Sequence, residues 1–165
     1  VKQSTTSNTW QTSAEPHLTP LFPPGFHRLD QSALFNRTVA AFPLSSRRQM
    51  IWDGFLRFSD DLARWPVTGE IWLDGSFTTN KVDPDDADLV ILFDREPLLQ
   101  MTPQGRGELK SWLSSKPFLK ANYHCDVYYI ASENVDRCDY WSRWYGHCED
   151  RRTPKGIPIM RIHHG

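Results

Sequence analysis

Apolar positions along the chain fall into two rhythms. Ile51, Phe55, Phe58, Leu62 and Trp65 recur every three or four residues, which lines one face of a helix. Ser46, with Gln49 three positions on, forms a capping box ahead of that helix, and Pro66 stops it. Residues 70–74 and 87–94 are short apolar runs and read as strands, the second apolar enough on both faces to be central in its sheet. Residues 123–130 alternate, with Tyr123, Cys125, Val127 and Tyr129 on one side and Asp126 on the other, which predicts a third strand. Between these strands Thr102 caps, and Pro103 opens, a helix whose Leu109, Trp112 and Leu113 face inward. Asn134 starts a further helix carrying Cys138, Trp141, Trp144 and Tyr145, stopped by Gly146. Nearer the start, Asp30 caps a short helix reaching about Phe42, before Pro43. The turn-dense residues 21–26 are expected to lie along a core without regular structure, and residues 157–162 to add a short edge strand.

Strands alternating with helices, without an internal repeat or an interdomain linker, predict a single α/β (α+β) domain over residues 21–165. Ahead of it residues 1–20 read as a flexible arm, rich in Ser, Thr, Gln and Asn over residues 1–15. At 165 residues the chain holds one real core and not two, and seven tryptophans and nine phenylalanines make that core large for its length. The formal net charge of -1 argues against a broad basic surface for duplex DNA, while leaving room for a local basic patch. Cys125, Cys138 and Cys148 form no CxxC and cannot all pair, which predicts a reducing compartment. No apolar stretch approaches the roughly 18–20 residues of a membrane span, and no secretion signal opens the chain. The expectation is a cytoplasmic protein with no membrane partner.

The candidate chemistry sits between the first two strands. Side chains two apart on a strand point the same way, roughly 6.5–7 Å apart, so Asp86 and Asp88 are spaced to converge on one divalent ion. Gly75-Ser76, following a strand, exposes backbone N–H groups suited to cradling phosphate. Asp126, an acid amid apolar strand residues, is the candidate for a third carboxylate on the neighbouring strand; taken alone it is equally an edge charge. Hard cations of the Mg²⁺ type take one or two carboxylates plus phosphate and water, so the set points to metal-dependent nucleotidyl transfer. Lys81, near the turn, is a candidate phosphate contact. Lys116 and Lys120, flanking Phe118, are candidates to line an acceptor groove. Trp141, Trp144 and Tyr145 offer a face that stacks a base or simply packs as core. The pairs His124-Cys125 and His147-Cys148 match no familiar zinc spacing, and His163-His164 close the chain.

Leu73-Asp74-Gly75-Ser76, then Asp86-Ala87-Asp88-Leu89, then Cys125-Asp126-Val127, resemble the signature of the polymerase-β-like nucleotidyltransferase superfamily over about residues 69–130. Trp72 to Phe77, the loop 81–84 and Lys155-Gly156-Ile157 are similar, more narrowly, to its small single-domain bacterial members. The resemblance implies a mixed β-sheet of the nucleotidyltransferase fold flanked by helices. It implies a nucleoside triphosphate held by Gly75 and Ser76, and Mg²⁺ or Mn²⁺ on Asp86, Asp88 and Asp126, with Asp126 also helping to deprotonate the acceptor hydroxyl. The implied activity is transfer of a nucleoside monophosphate, AMP from ATP, onto a protein or RNA acceptor, in the manner of toxin–antitoxin or phage-defence pairs. The alternative is a non-catalytic module of the same fold that neutralises a partner protein. Many superfamily members carry a second helical domain, and little chain follows residue 130. The helix bearing Trp141 and Trp144, the basic stretch 151–155, or a partner must then recognise base and acceptor.

Overall fold

The computed structural model describes residues 18–162. The arm through residue 17 and the His163-His164 doublet lie outside the described residues. Five strands form one mixed sheet: β1 (Gly25–Arg28), β2 (Gly69–Asp74), β3 (Ala87–Phe93), β4 (Cys125–Ala131) and β5 (Gly156–Ile162), in the order β1-β5-β2-β3-β4. The β2 strand runs antiparallel to both β3 and β5, while β3–β4 and β1–β5 are parallel pairs. The expected single domain with a mixed sheet flanked by helices is what the chain forms. No helix among the described residues is long and apolar enough to cross a membrane.

The period-2 alternation of the strands divides two cores. Ile71, Leu73, Leu89, Ile91, Cys125 and Val127 face α2 (Arg48–Ala63), α4 (Pro103–Ser114) and α5 (Lys116–Tyr123). Trp72, Val90, Leu92, Ile130, Ile157 and Ile159 point the other way, against Trp141 and Tyr145 of α6 (Val135–Tyr145). Asp74, Asp88 and Asp126 share this second face, because each lies two or four residues from one of its apolar members.

Four local expectations are corrected. Residues 157–162 are not at an edge, since β5 pairs on both sides; the outer strand on that side is β1, whose first residues, Gly25 and Phe26, were expected to stay irregular and gain structure by pairing with distant β5. The helical stripe is present as α2, but Ser45, not Ser46, receives its first N–H groups, from Arg47 at 3.2 Å and Arg48 at 3.0 Å. Ser46 is engaged with Asp83, and Gln49 with Asp53. Tyr123 ends α5 instead of opening a strand, and His124 reverses the chain in a left-handed conformation (φ 54°) before β4. Lys116 and Lys120 stand on this helix, and a short helix α3 (Arg95–Gln100) also went unforeseen. The Asp30 cap does start a helix, α1 (Gln31–Phe35), extended by a π-helical turn Asn36–Ala40.

Candidate functional site

Buried Arg48 organises the loop that leads into the site. It lies in phase with Ile51, Trp52 and Phe55 on the inward face of α2 and is 0% exposed. Its guanidinium donates to the carbonyls of Thr38 (2.6 Å), Phe77 (2.8 Å), Thr79 (2.6 Å) and Lys81 (2.6 Å). Arg47 holds the carbonyls of Pro84 (2.8 Å) and Asp85 (2.9 Å), and Asp83 accepts from Ser45 Oγ and the Ser46 N–H. The start of α2 therefore clamps residues 77–85 and sets where the chain re-enters the sheet at Asp86.

Strand pairing then aligns the acids. Asp74 is the register partner of Asp88, and Asp88 of Asp126. Neighbouring strands lie about 4.8 Å apart, so three carboxylates stand in a row across β2, β3 and β4. Asp86 lies just outside β3, close enough to raise the Asp88 carboxyl electrostatically. The structure thus brings together all three acids expected from the sequence and adds a fourth, Asp74.

Three of the four acids are matched by lysines. Lys120 pairs with Asp86 at 2.8 Å, Lys116 with Asp126 at 2.8 Å, and buried Lys155 with Asp74. Asp74 Oδ1 lacks a well-directed hydrogen bond, so the contacting ammonium compensates it by charge. Burial still outweighs Lys155 and holds the Asp74 carboxyl above its ordinary range. Lys116 and Lys120, the candidates for lining an acceptor groove, lie on the acids. Among the described residues Asp88 has no paired cation. Burial first, then Asp86, Asp74 and Asp126, push its carboxyl up to about 7. A part-buried carboxylate surrounded by like charge is a group that a cation would stabilise. No set of three His, Cys, Asp or Glu side chains among the described residues stands already arranged to hold an ion.

Gly75 bends the chain beside Asp88. Its φ of 77° is in the left-handed region, and a Cβ there would overlap Asp88 Oδ2. Ser76 opens a short 3₁₀ turn, Ser76–Thr78, whose Thr78 and Thr79 N–H groups return to the carbonyls of Gly75 and Ser76. The N–H groups at the start of such a turn have no partner within it. Gly75→Ala is accordingly expected to cost roughly 2–4 kcal/mol, from strained φ and overlap together, measured by urea unfolding. Unchanged stability would show that Asp88 swings away freely.

Of these acids Asp74 and Asp88 line a cleft of about 680 Å³, bounded also by Ser76, Lys81, Lys155 and the α6 aromatics. Lys81 lines it, with its ammonium 3.2 Å from Asp85. The basic stretch after α6 contributes Arg151, held at φ 57° with its guanidinium 3.2 Å from the centre of the Trp144 ring. On α6, Trp141 and Tyr145 pack as core, the second of the two expected uses, while Trp144 is exposed. Arg48, Asp74 and Lys155 were missed as site residues. The signals were present: an arginine in phase with an apolar stripe, an acid in phase with Trp72, and a lysine heading an apolar strand.

Sequence comparison places this architecture in one family. The chain belongs to a family of unknown function, DUF6932, whose model matches residues 16–160. No curated protein and no solved structure matches it. The family match spans the acids, the glycine turn, Arg48 and Lys155 alike, so the whole site lies within the family region.

Proposed function

We propose that this protein is a metal-dependent nucleotidyltransferase that moves a nucleoside monophosphate, AMP from ATP in the simplest case, onto a hydroxyl of a protein or RNA, the oxygen bonding to the α-phosphorus as the α–β anhydride breaks and pyrophosphate leaves. The observation that carries this reading is the row Asp74, Asp88 and Asp126 across three adjacent strands, beside the Gly75-Ser76 turn, with Asp88 short of a counter-charge. Asp86, Asp88 and Asp126 are the residues that would hold Mg²⁺ or Mn²⁺. A divalent ion there would neutralise phosphate charge and lower the pKa of the attacking hydroxyl.

This chain's own groups do the rest. The N–H groups opening the Ser76 turn, with Lys81, hold the triphosphate. Asp126 accepts the acceptor's proton. Lys155 neutralises Asp74 so that the polyphosphate meets fewer uncompensated carboxylates. A cytoplasmic site of action accords with three free cysteines. A pairing with a cognate partner, as in toxin–antitoxin or phage-defence systems, belongs to the same proposal.

A second reading has its own observation. Lys116, Lys120 and Lys155 neutralise three acids without any metal, which suits a non-catalytic module that binds and neutralises a partner protein. Incubation with α-labelled nucleoside triphosphates, Mg²⁺ or Mn²⁺ and whole lysate separates the two. Label on a protein or RNA, lost in Asp126→Asn, is the expected outcome. Absence of transfer together with absence of metal binding would select the non-catalytic module.

A further inference from the structure

Two buried hydrogen-bond donors in the cleft wall have no acceptor among the described residues. Tyr145 is 2% exposed and Trp141 5% exposed, and the Tyr145 hydroxyl and the Trp141 indole N–H have no partner among the described residues. The two side chains stand one turn apart on α6, and both line the cleft. The Tyr145 hydroxyl lies within electrostatic reach of Asp88, Asp74 and Asp126, which places it toward the row of acids. An indole N–H donates only, and a buried donor without an acceptor is costly. Such a pair is explained by a ligand rich in acceptor atoms.

On the same helix, further out, Tyr140 and Trp144 are 45% and 42% exposed. Their rings lie 11° from parallel with centroids 6.1 Å apart. Arg137 lies over the Tyr140 ring and Arg151 over Trp144. All four side chains line the cleft that Asp74 and Asp88 also line. Near-parallel aromatic rings backed by guanidinium groups are a surface on which a flat heterocycle stacks. One helix therefore presents, from the acids outward, two donors and then a stacking surface, in a cleft of the size that takes a small organic ligand.

We propose that α6 is the wall that recognises the nucleoside portion of the bound triphosphate, with Trp141 and Tyr145 donating to acceptor atoms of its sugar or base and Tyr140 and Trp144 stacking the base. This rests on the nucleotide reading of the site. It makes one core helix do what a separate helical domain would otherwise do.

The test compares binding of ATP with binding of inorganic tripolyphosphate, each with Ca²⁺, by calorimetry on the full chain. Tyr145→Phe removes a single oxygen, and Trp144→Ala alters an exposed position, so both are expected to fold; melting curves check this. Wild type should bind ATP more tightly than tripolyphosphate. Tyr145→Phe should weaken ATP about fivefold and Trp144→Ala about tenfold, each leaving tripolyphosphate unchanged. Equal binding of the two ligands by wild type, or variants that weaken both alike or neither, would overturn the role of α6 while leaving the acid and turn site standing. Failure of wild type to bind either ligand would remove the nucleotide reading and this inference with it.

Discussion

Asp88→Asn is expected to abolish nucleotide transfer and, at the same time, to stabilise the metal-free protein at neutral pH. The loss of transfer should be on the order of 10³-fold or more, the scale of the several kcal/mol that a bound divalent ion contributes to such a reaction. The gain in stability follows from proton linkage. The Asp88 carboxyl is raised from 3.8 to about 7 in the folded chain, with burial the first cause and Asp86, Asp74 and Asp126 following. The folded state therefore holds a proton that the unfolded chain releases, and wild-type stability falls as pH rises through the window from about 4 to about 7. The contribution amounts to roughly 4 kcal/mol once Asp88 is ionised. Asparagine carries no such penalty, so the variant and the wild type should match near pH 4 and diverge until about pH 7. Saturating Mn²⁺ should reverse the order, because only wild type gains the stabilisation of a bound ion. Urea unfolding across pH, with and without Mn²⁺, reads both effects. Parallel pH profiles for the two proteins would show that Asp88 is not held in this charged surrounding.

Arg48→Met should have the largest effect on folding, a loss of roughly 3–5 kcal/mol. Methionine fills much of the same space but leaves the carbonyls of Thr38, Phe77, Thr79 and Lys81 without their donor. Such a loss consumes a large share of a typical domain's 5–15 kcal/mol. Arg48→Lys should recover only part of it, since a single ammonium cannot span four carbonyls as a planar fork does. Because the same bonds clamp residues 77–81, Arg48→Lys should also weaken binding of Ca²⁺ and tripolyphosphate. The check is urea unfolding followed by calorimetry on whichever variant remains folded. Full stability in Arg48→Met would mean that water satisfies those carbonyls.

What the chain disclosed before folding was uneven, and the unevenness has a cause. Helix α2 was legible because Ile51, Phe55, Phe58 and Leu62 repeat with the helical period inside a single stretch. Asp86, Asp88 and Asp126 were legible as candidates because each is a carboxylate entering or interrupting an apolar run. Their lysine partners were not: Lys116 is ten residues from Asp126, Lys120 is 34 from Asp86, and Lys155 is 81 from Asp74. No local pattern links such pairs. The misplacement of Tyr123 has a different origin. Alternation runs unbroken from Tyr123 through Tyr129, and only the left-handed turn at His124 shows that the first member belongs to α5.

Local patterning by itself determined the longer helices α2, α4 and α6, the strands β2, β3 and most of β4, and which acids were available for chemistry. Those properties depend on neighbours three, four or two positions away, so they survive in the linear order. Tertiary structure alone decided that Asp74 stands opposite Asp88 and Asp88 opposite Asp126, that β5 inserts between β1 and β2, and that three lysines close over the acids. Strand register and pairing join residues far apart along the chain. A shift of one position would turn every acid to the opposite face, and only the packing of both cores at once selects the register that sets them in a row.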